Sequence, residues 1–322
     1  MKKKHISEYW NKANLGHYRY NFVDVVVNDD NLLFIDPILL ELANDEWCRH
    51  ASKIVQSFFD TFYEAYRTRN SQCKKVLLSH ASEQNGTRLG YGHGDNGKGN
   101  TLTGLLDIFS PLEVLLEDIP NMKKAEDLTL MLPKFAEDGL SDLLTNVLHD
   151  QLNEFTLCQL ARYGIKSNST KSFWTWEPTT VSWKMVQRPS YCIEGKEFLA
   201  VPKQIVRKKY LYSTGQYFNR IILERMRTEG QFMDAGKPLS KKDIICLLYT
   251  SDAADEEDSI KSKSYSGEHW KYDEVVSYTK KNNDALDEYH QKSPLFYWEN
   301  GGAMTDQELD ILLYGKVFAI SA

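Results

Sequence analysis

Cysteine is scarce in this chain: Cys48, Cys73, Cys158, Cys192 and Cys246 are the five in 322 residues, and no two are spaced as CxxC. That excludes the disulfide framework of a small secreted domain and a thiolate zinc site, and it points to a reducing cytoplasm. Long apolar runs are missing too. No stretch approaches the length of a membrane-spanning helix, so no membrane is expected as a partner. The lysine-rich start, MKKKHISEYW, is not followed by the apolar core of an export signal. Positive charge is not in excess either, the formal net charge being −6. Any polyanion must therefore be met by a local basic patch.

What is present suits a globular fold. With 42% apolar and 26% charged residues, the chain is long enough for one large domain or two modest ones. FVDVVVN and NLLFIDP, joined by Asp29-Asp30, predict a hairpin. Ile54, Phe58, Phe62 and Tyr66 recur at helical spacing and predict a helix from Trp47 to Arg69. KVLLSH reads as a short buried strand, and Leu102 to Glu117 as a helix stopping near Pro120. Ser141 to Gly164 reads as one long helix with Ser141 as its N-cap. Short strands follow from Phe173 to Val201, one pair turning at Glu194-Gly195; helices are expected at 215–227 and 272–290. Mixed helices and short antiparallel strands without regular βαβ alternation make the expected class α+β, with a restriction-endonuclease-like core as one form of it. The expected division is a main domain over 1–228, an acidic loop over 229–265 and a helical C-terminal segment over 266–322.

One stretch of that loop stands apart. Cys246 to Glu256, CLLYTSDAADE, back-translates with one codon choice into the transposase adapter used to prepare sequencing libraries, read in frame. The implied origin is a gene assembled from environmental reads. This stretch carries no function, and the chain beyond it is either the native continuation, a shifted frame or a chimera. Acidic and poor in apolar residues, SDAADEEDS is expected to be a mobile loop.

The loop GTRLGYGHGDNGKGN satisfies GxGxxG with Gly92, Gly94 and Gly97, but no strand runs into it. It nearly satisfies a phosphate-binding loop, except that Gly99 stands where the magnesium-binding hydroxyl belongs after Lys98. A surface loop is the plainer reading. Asp142, Asn146, His149 and Asn153 share one face of the Ser141 helix. That face is either solvated, or it brings Asp142 (or Asp138) to other carboxylates around a divalent metal. Candidates for those others are Asp36, at the end of FIDP, and Glu83; Asp36 also reads as a turn cap and Glu83 as a loop residue. Glu194 and Lys196 form an E-x-K pair of the kind that sets a metal-binding carboxylate beside a lysine stabilising the scissile phosphate. Lys203 is an equal candidate for that lysine. From Lys203 to Arg227 seven basic residues face only Glu224, with Tyr210, Tyr212, Tyr217 and Phe218 among them. Arg207, Lys208, Lys209, Tyr212 and Arg220 there suit a phosphate backbone with stacked bases, or else an amphipathic helix with core aromatics.

Read in order, FIDP, GTRLGYG, EDLTLMLPKFAEDGLSDLLTN and FLAVPKQIVR, spanning Leu33 to Arg207, resemble a family of uncharacterised bacterial accessory proteins of the kind found with mobile elements and phage defence. The resemblance implies no established activity. It places Asp36, Glu83, Asp142, Asn146 and Lys203 at polar motif positions. The function expected from these clusters is a Mg²⁺-dependent phosphodiesterase acting on nucleic acid: Asp36, Glu83, Asp142 and Glu194 would hold the metal, and Lys203 or Lys196 would stabilise the phosphorane. The alternative is a non-enzymatic interaction or nucleic-acid-binding protein.

Overall fold

The computed structural model describes residues 4–12, 15–82, 85–91, 101–230, 232–254 and 270–318. The class is α+β: among the described residues helices dominate, and the strands form four separate two-stranded antiparallel pairs. After the short α1 (Ile6–Tyr9), β1 (Phe34–Ile35) leads through Asp36 into α2 (Pro37–Leu42). The long α3 (Glu46–Arg67) forms as its spacing predicts, Asp45 accepting the Cys48 N–H at its start. Its buried stripe of Phe58, Phe62 and Tyr66 joins Trp176, Trp183 and Phe109 in an aromatic core. Each such ring removed from water contributes on the order of 2–3 kcal/mol.

KVLLSH is not a strand. It lies mostly in α4 (Ser71–Leu78), whose N-cap Asn70 accepts the Cys73 N–H. The run is too short for its period to decide between strand and helix, and the cap decides it. The predicted hairpin over 22–36 is also absent. The Asn31 side chain takes both backbone bonds of Val26, so the run finds separate partners: His5 with Val26, Phe22 with Pro202, Asn31 with Leu89. Val23, Val25, Val26, Val27 and Leu33 to Ile35 are all buried, and no alternation exists to pair one side against water.

α5 (Leu102–Phe109) and α6 (Leu112–Asp118) replace the single helix expected, with Pro111 between them. α7 (Asp127–Met131) precedes α8 (Glu137–Val147) and α9 (His149–Arg162). The last two interrupt the predicted helix at Leu148, and it begins earlier than predicted. Ser141 is therefore no N-cap; its Oγ accepts the Ile35 N–H and holds β1 against α8. Strands β2 (Ser169–Glu177) and β3 (Ser182–Ser190) form the main hairpin. β4 (Cys192–Ile193) and β5 (Lys196–Glu197) turn at Glu194-Gly195 as expected, both turn residues having the positive φ (53° and 79°) that a two-residue hairpin turn requires. β6 (Val206–Arg207) pairs with β1. A helix over 214–228 follows as α10 (Thr214–Tyr217), a π-helical turn (Phe218–Ile222) and α11 (Leu223–Thr228).

The region expected to be an acidic loop contains a hairpin, β7 (Met233–Asp234) with β8 (Lys237–Pro238), and α12 (Lys241–Ala254) anchored by the buried Ile244. The adapter-like stretch is thus helical as far as Ala254, and its last two residues lie outside the described residues. The predicted 272–290 helix is two: α13 (Trp270–Lys281) and α14 (Asp284–Glu299). α15 (Asp306–Tyr314) ends the described fold, with Thr305 and Glu308 in a capping box. Among the described residues, no helix is long and apolar enough to cross a membrane.

Candidate functional site

Leu140, Leu143, Leu144 and Val147 turn one side of α8 into the core, which leaves Asp138, Asp142 and Asn146 on the other. That other side is only partly open to water. Asn146 Nδ2 donates to the Ser82 carbonyl at 2.6 Å and to the Asp142 carbonyl at 3.0 Å, tying the 81–91 loop to the helix. Gly90 passes so close that a Cβ there would stand 2.9 Å from Asp138 Oδ1, at a φ of +144°. On α9, Asn153 Nδ2 donates to the Pro189 carbonyl at 3.0 Å. His149 stacks on Phe173 with ring centroids 3.9 Å apart, and its Nε2 lies 3.0 Å from Glu197 Oε2.

Glu197 is the centre of this cluster. Its other carboxylate oxygen accepts the Ser190 hydroxyl at 2.8 Å. Burial pushes this carboxyl up, but the bonds from His149 and Ser190 hold it below the usual glutamate range. The order of contacts matters chemically. A nucleophilic serine needs its hydroxyl on the imidazole, whereas here the carboxylate separates them and Ser190 is wholly buried. The cluster fastens the hairpin to α9. Beside it, Arg188 makes a two-pronged bond to Asp150, Nε and Nη2 each 2.9 Å from an oxygen. The pair lines a cleft of about 210 Å³ with His50, Trp176 and Lys184.

Of the four expected metal ligands, Asp36, Asp142 and Glu194 lie among the described residues. Asp36 is the N-cap of α2: Oδ1 accepts the Ile38 and Leu39 N–H groups at 3.0 and 3.4 Å, and Oδ2 accepts the Tyr297 hydroxyl at 2.6 Å. It is 1% exposed, and burial pushes it up to about 6 against those bonds. The turn-cap reading therefore holds, because an apolar strand running into a helix needs its first N–H groups covered. Glu194 sits at a hairpin tip and accepts the Tyr9 hydroxyl at 2.8 Å. Asp142 is in the second turn of α8, beyond the reach of the helix-start electrostatics expected for it. Glu83 lies outside the described residues, as does the glycine run from 92 to 100. Among the described residues, no three His, Cys, Asp or Glu side chains stand close enough to hold a metal ion.

The basic segment is spoken for as well. Lys203 Nζ donates to the His17 carbonyl at 2.8 Å and to Asp306 at 2.5 Å. Arg207 donates to the Gly302 carbonyl. Arg220 lies over the Phe296 ring at 4.4 Å, and Arg225 is bound by Glu288 and Asp284. Tyr212 is 1% exposed with its hydroxyl on Asp127, so it cannot stack a base. Tyr210, Tyr217 and Phe218 are core residues too. Only Lys208, Lys209 and Lys196 keep the exposure expected of the basic candidates.

A different cluster escaped the sequence reading. Asp127 is fully buried; Oδ1 meets His290 Nε2 at 2.7 Å and the Tyr212 hydroxyl at 3.2 Å, and Oδ2 accepts the N–H groups of Lys123 and Lys124. The adjacent Glu126 is 1% exposed, 3.8 Å from Lys124, and its Oε1 has no hydrogen-bond partner. Burial pushes Glu126 up to about 8. Nothing in "AEDLTLM" announces this, since its partner stands 163 residues away on α14.

No curated protein and no solved structure matches the chain. One family model matches residues 14–213, more than half of the 322, and so covers everything from the His17 turn through the α8 face to Tyr212. The chain belongs to that family, the domain of unknown function DUF8370.

Proposed function

We propose that this chain is a non-enzymatic, cytoplasmic interaction protein that receives a protein partner on the outer side of α14. One observation carries the reading. Trp298 is 86% exposed and Leu295, one turn earlier, is 60% exposed, while Leu286, Tyr289 and Tyr297 bury the other side of the helix. Trp is the residue type most enriched in the energetic centres of interfaces, and a bare Trp beside a bare Leu has no structural use in the monomer. The partner is a protein segment that brings an apolar anchor to this Trp–Leu pair. Among the residues expected to carry nuclease chemistry, Asp36, Lys203 and Arg220 support this reading, since their polar atoms are engaged within the fold.

The test is site-specific photo-crosslinking in bacterial cells producing the protein. Benzoylphenylalanine at position 298 should yield one discrete protein adduct, and the same group at the exposed Lys53 should not. No adduct from position 298 would sink the reading. So would Mg²⁺-dependent cleavage of labelled DNA or RNA by the pure protein that Asp142→Asn abolishes; that outcome would restore the phosphodiesterase.

A further inference from the structure

We propose that Asp127 and His290 form a proton-controlled latch that fastens α14 to the family domain and loosens as the imidazole loses its charge. Asp127 belongs to the matched domain and His290 to the helix outside it. Their contact at 2.7 Å is almost free of water, the side chains being 0% and 7% exposed. The groups around the imidazole come from several elements. Glu126 and Lys124 lie beside Asp127; α2 contributes Glu41, 2.6 Å from Lys124; Tyr212 shares the oxygen that meets His290.

Their charges balance only with His290 protonated. Lys124 is matched by Glu41, the imidazolium by Asp127, and Glu126 stays neutral because burial disfavours its anion. Loss of the histidine proton leaves Asp127 as a buried anion held by hydrogen bonds alone, and ionisation of Glu126 adds a second charge beside it. An uncompensated buried charge is strongly destabilising. Its cheapest relief is opening at the contact between the two elements, since water can then reach both carboxylates. Asp127 favours the charged imidazole; burial and the unpartnered Nδ1 oppose it. The balance keeps the imidazolium above its ordinary range without making the bond permanent.

The test is hydrogen–deuterium exchange on the full chain at pH 6 and pH 8.5, corrected for the intrinsic rate. Amides of 284–299 should open about ten-fold more at the higher pH, a change equivalent to about 1.4 kcal/mol, while α9 amides keep their protection. In His290→Gln the difference between the two pH values should shrink to the part that Glu126 ionisation leaves, and adding Glu126→Gln should abolish it. Equal protection of α14 at both pH values would overturn the proposal. Should the variant not fold, the ring carbons of His290 in the parent chain decide by NMR: titration at or below the free-histidine value overturns it as well.

Discussion

Asp36 and Tyr297 show how one side chain can look catalytic and be structural. The carboxylate ends an apolar strand, where an isolated charge would be costly, yet three donors surround it. Tyr297→Phe removes the donor from Oδ2 and leaves a buried acceptor unmet. Urea unfolding should report a loss of about 1–3 kcal/mol; an unchanged midpoint would mean that this bond holds nothing. The basic residues divide in the same way. Arg225, with its side chain 17% exposed between Glu288 and Asp284, should cost about 1.5–3 kcal/mol as Arg225→Ala. Lys208→Ala and Lys209→Ala, both at exposed positions, should stay within about 0.5 kcal/mol. Equal effects at the three sites would refute the assignment of Arg225 to the interior and the two lysines to the surface.

At the scale of elements, the helices after the adapter-like stretch pack against the family domain. α13, α14 and α15 supply partners that the family domain lacks by itself. Thr279 meets Tyr217 at 3.0 Å, Tyr297 meets Asp36, His290 meets Asp127, and Asp310 meets His17 at 2.6 Å. These four pairings are what a native continuation would supply, and in that case the adapter-like stretch adds nothing to the core. Replacing Cys246–Glu256 by a Gly/Ser linker should therefore change thermal stability by less than about 1 kcal/mol. Ile244→Ala, just before it and wholly buried, should cost about 2–5 kcal/mol. If the linker variant lost as much as Ile244→Ala, the stretch would have to be part of the core.

For the whole molecule, the buried titrating groups set a slope of stability with pH. Glu126 in the folded chain keeps its proton up to about 8, and His290 keeps its own above the ordinary histidine range. Both then bind more protons folded than unfolded between about pH 6.5 and 8, so stability falls as pH rises through that window. Asp36, pushed up to about 6, acts with the same sign at lower pH. His17 opposes it there, because burial lowers its pKa and its contribution is lost as pH falls below 6.5. Calorimetry at constant ionic strength should give a melting temperature that declines from pH 6.5 to 8. Glu126→Gln should remove part of that decline; a flat or rising curve in the parent would contradict the buried network.

Local patterning was enough for the α+β class, the α3 helix, the β4–β5 turn and the break after Gly164, because those depend on periodicity and on residues at their own termini. It could not say that the helix breaks at Leu148, between Asn146 and His149, nor that Asn146 would bind the Ser82 carbonyl and His149 would meet Glu197. Nor could it tell that the valine-rich 22–27 run finds its partners far along the chain, since an apolar run is equally consistent with a neighbouring strand or a distant one. The basic look of 203–227 came from counting charges along the chain; its neutralisation comes from acids 59 to 103 residues further on. The sequence by itself determined the class, the α3 helix and the β4–β5 turn. Only the tertiary structure decided which polar groups are consumed inside the fold, because burial and pairing depend on groups that approach across space.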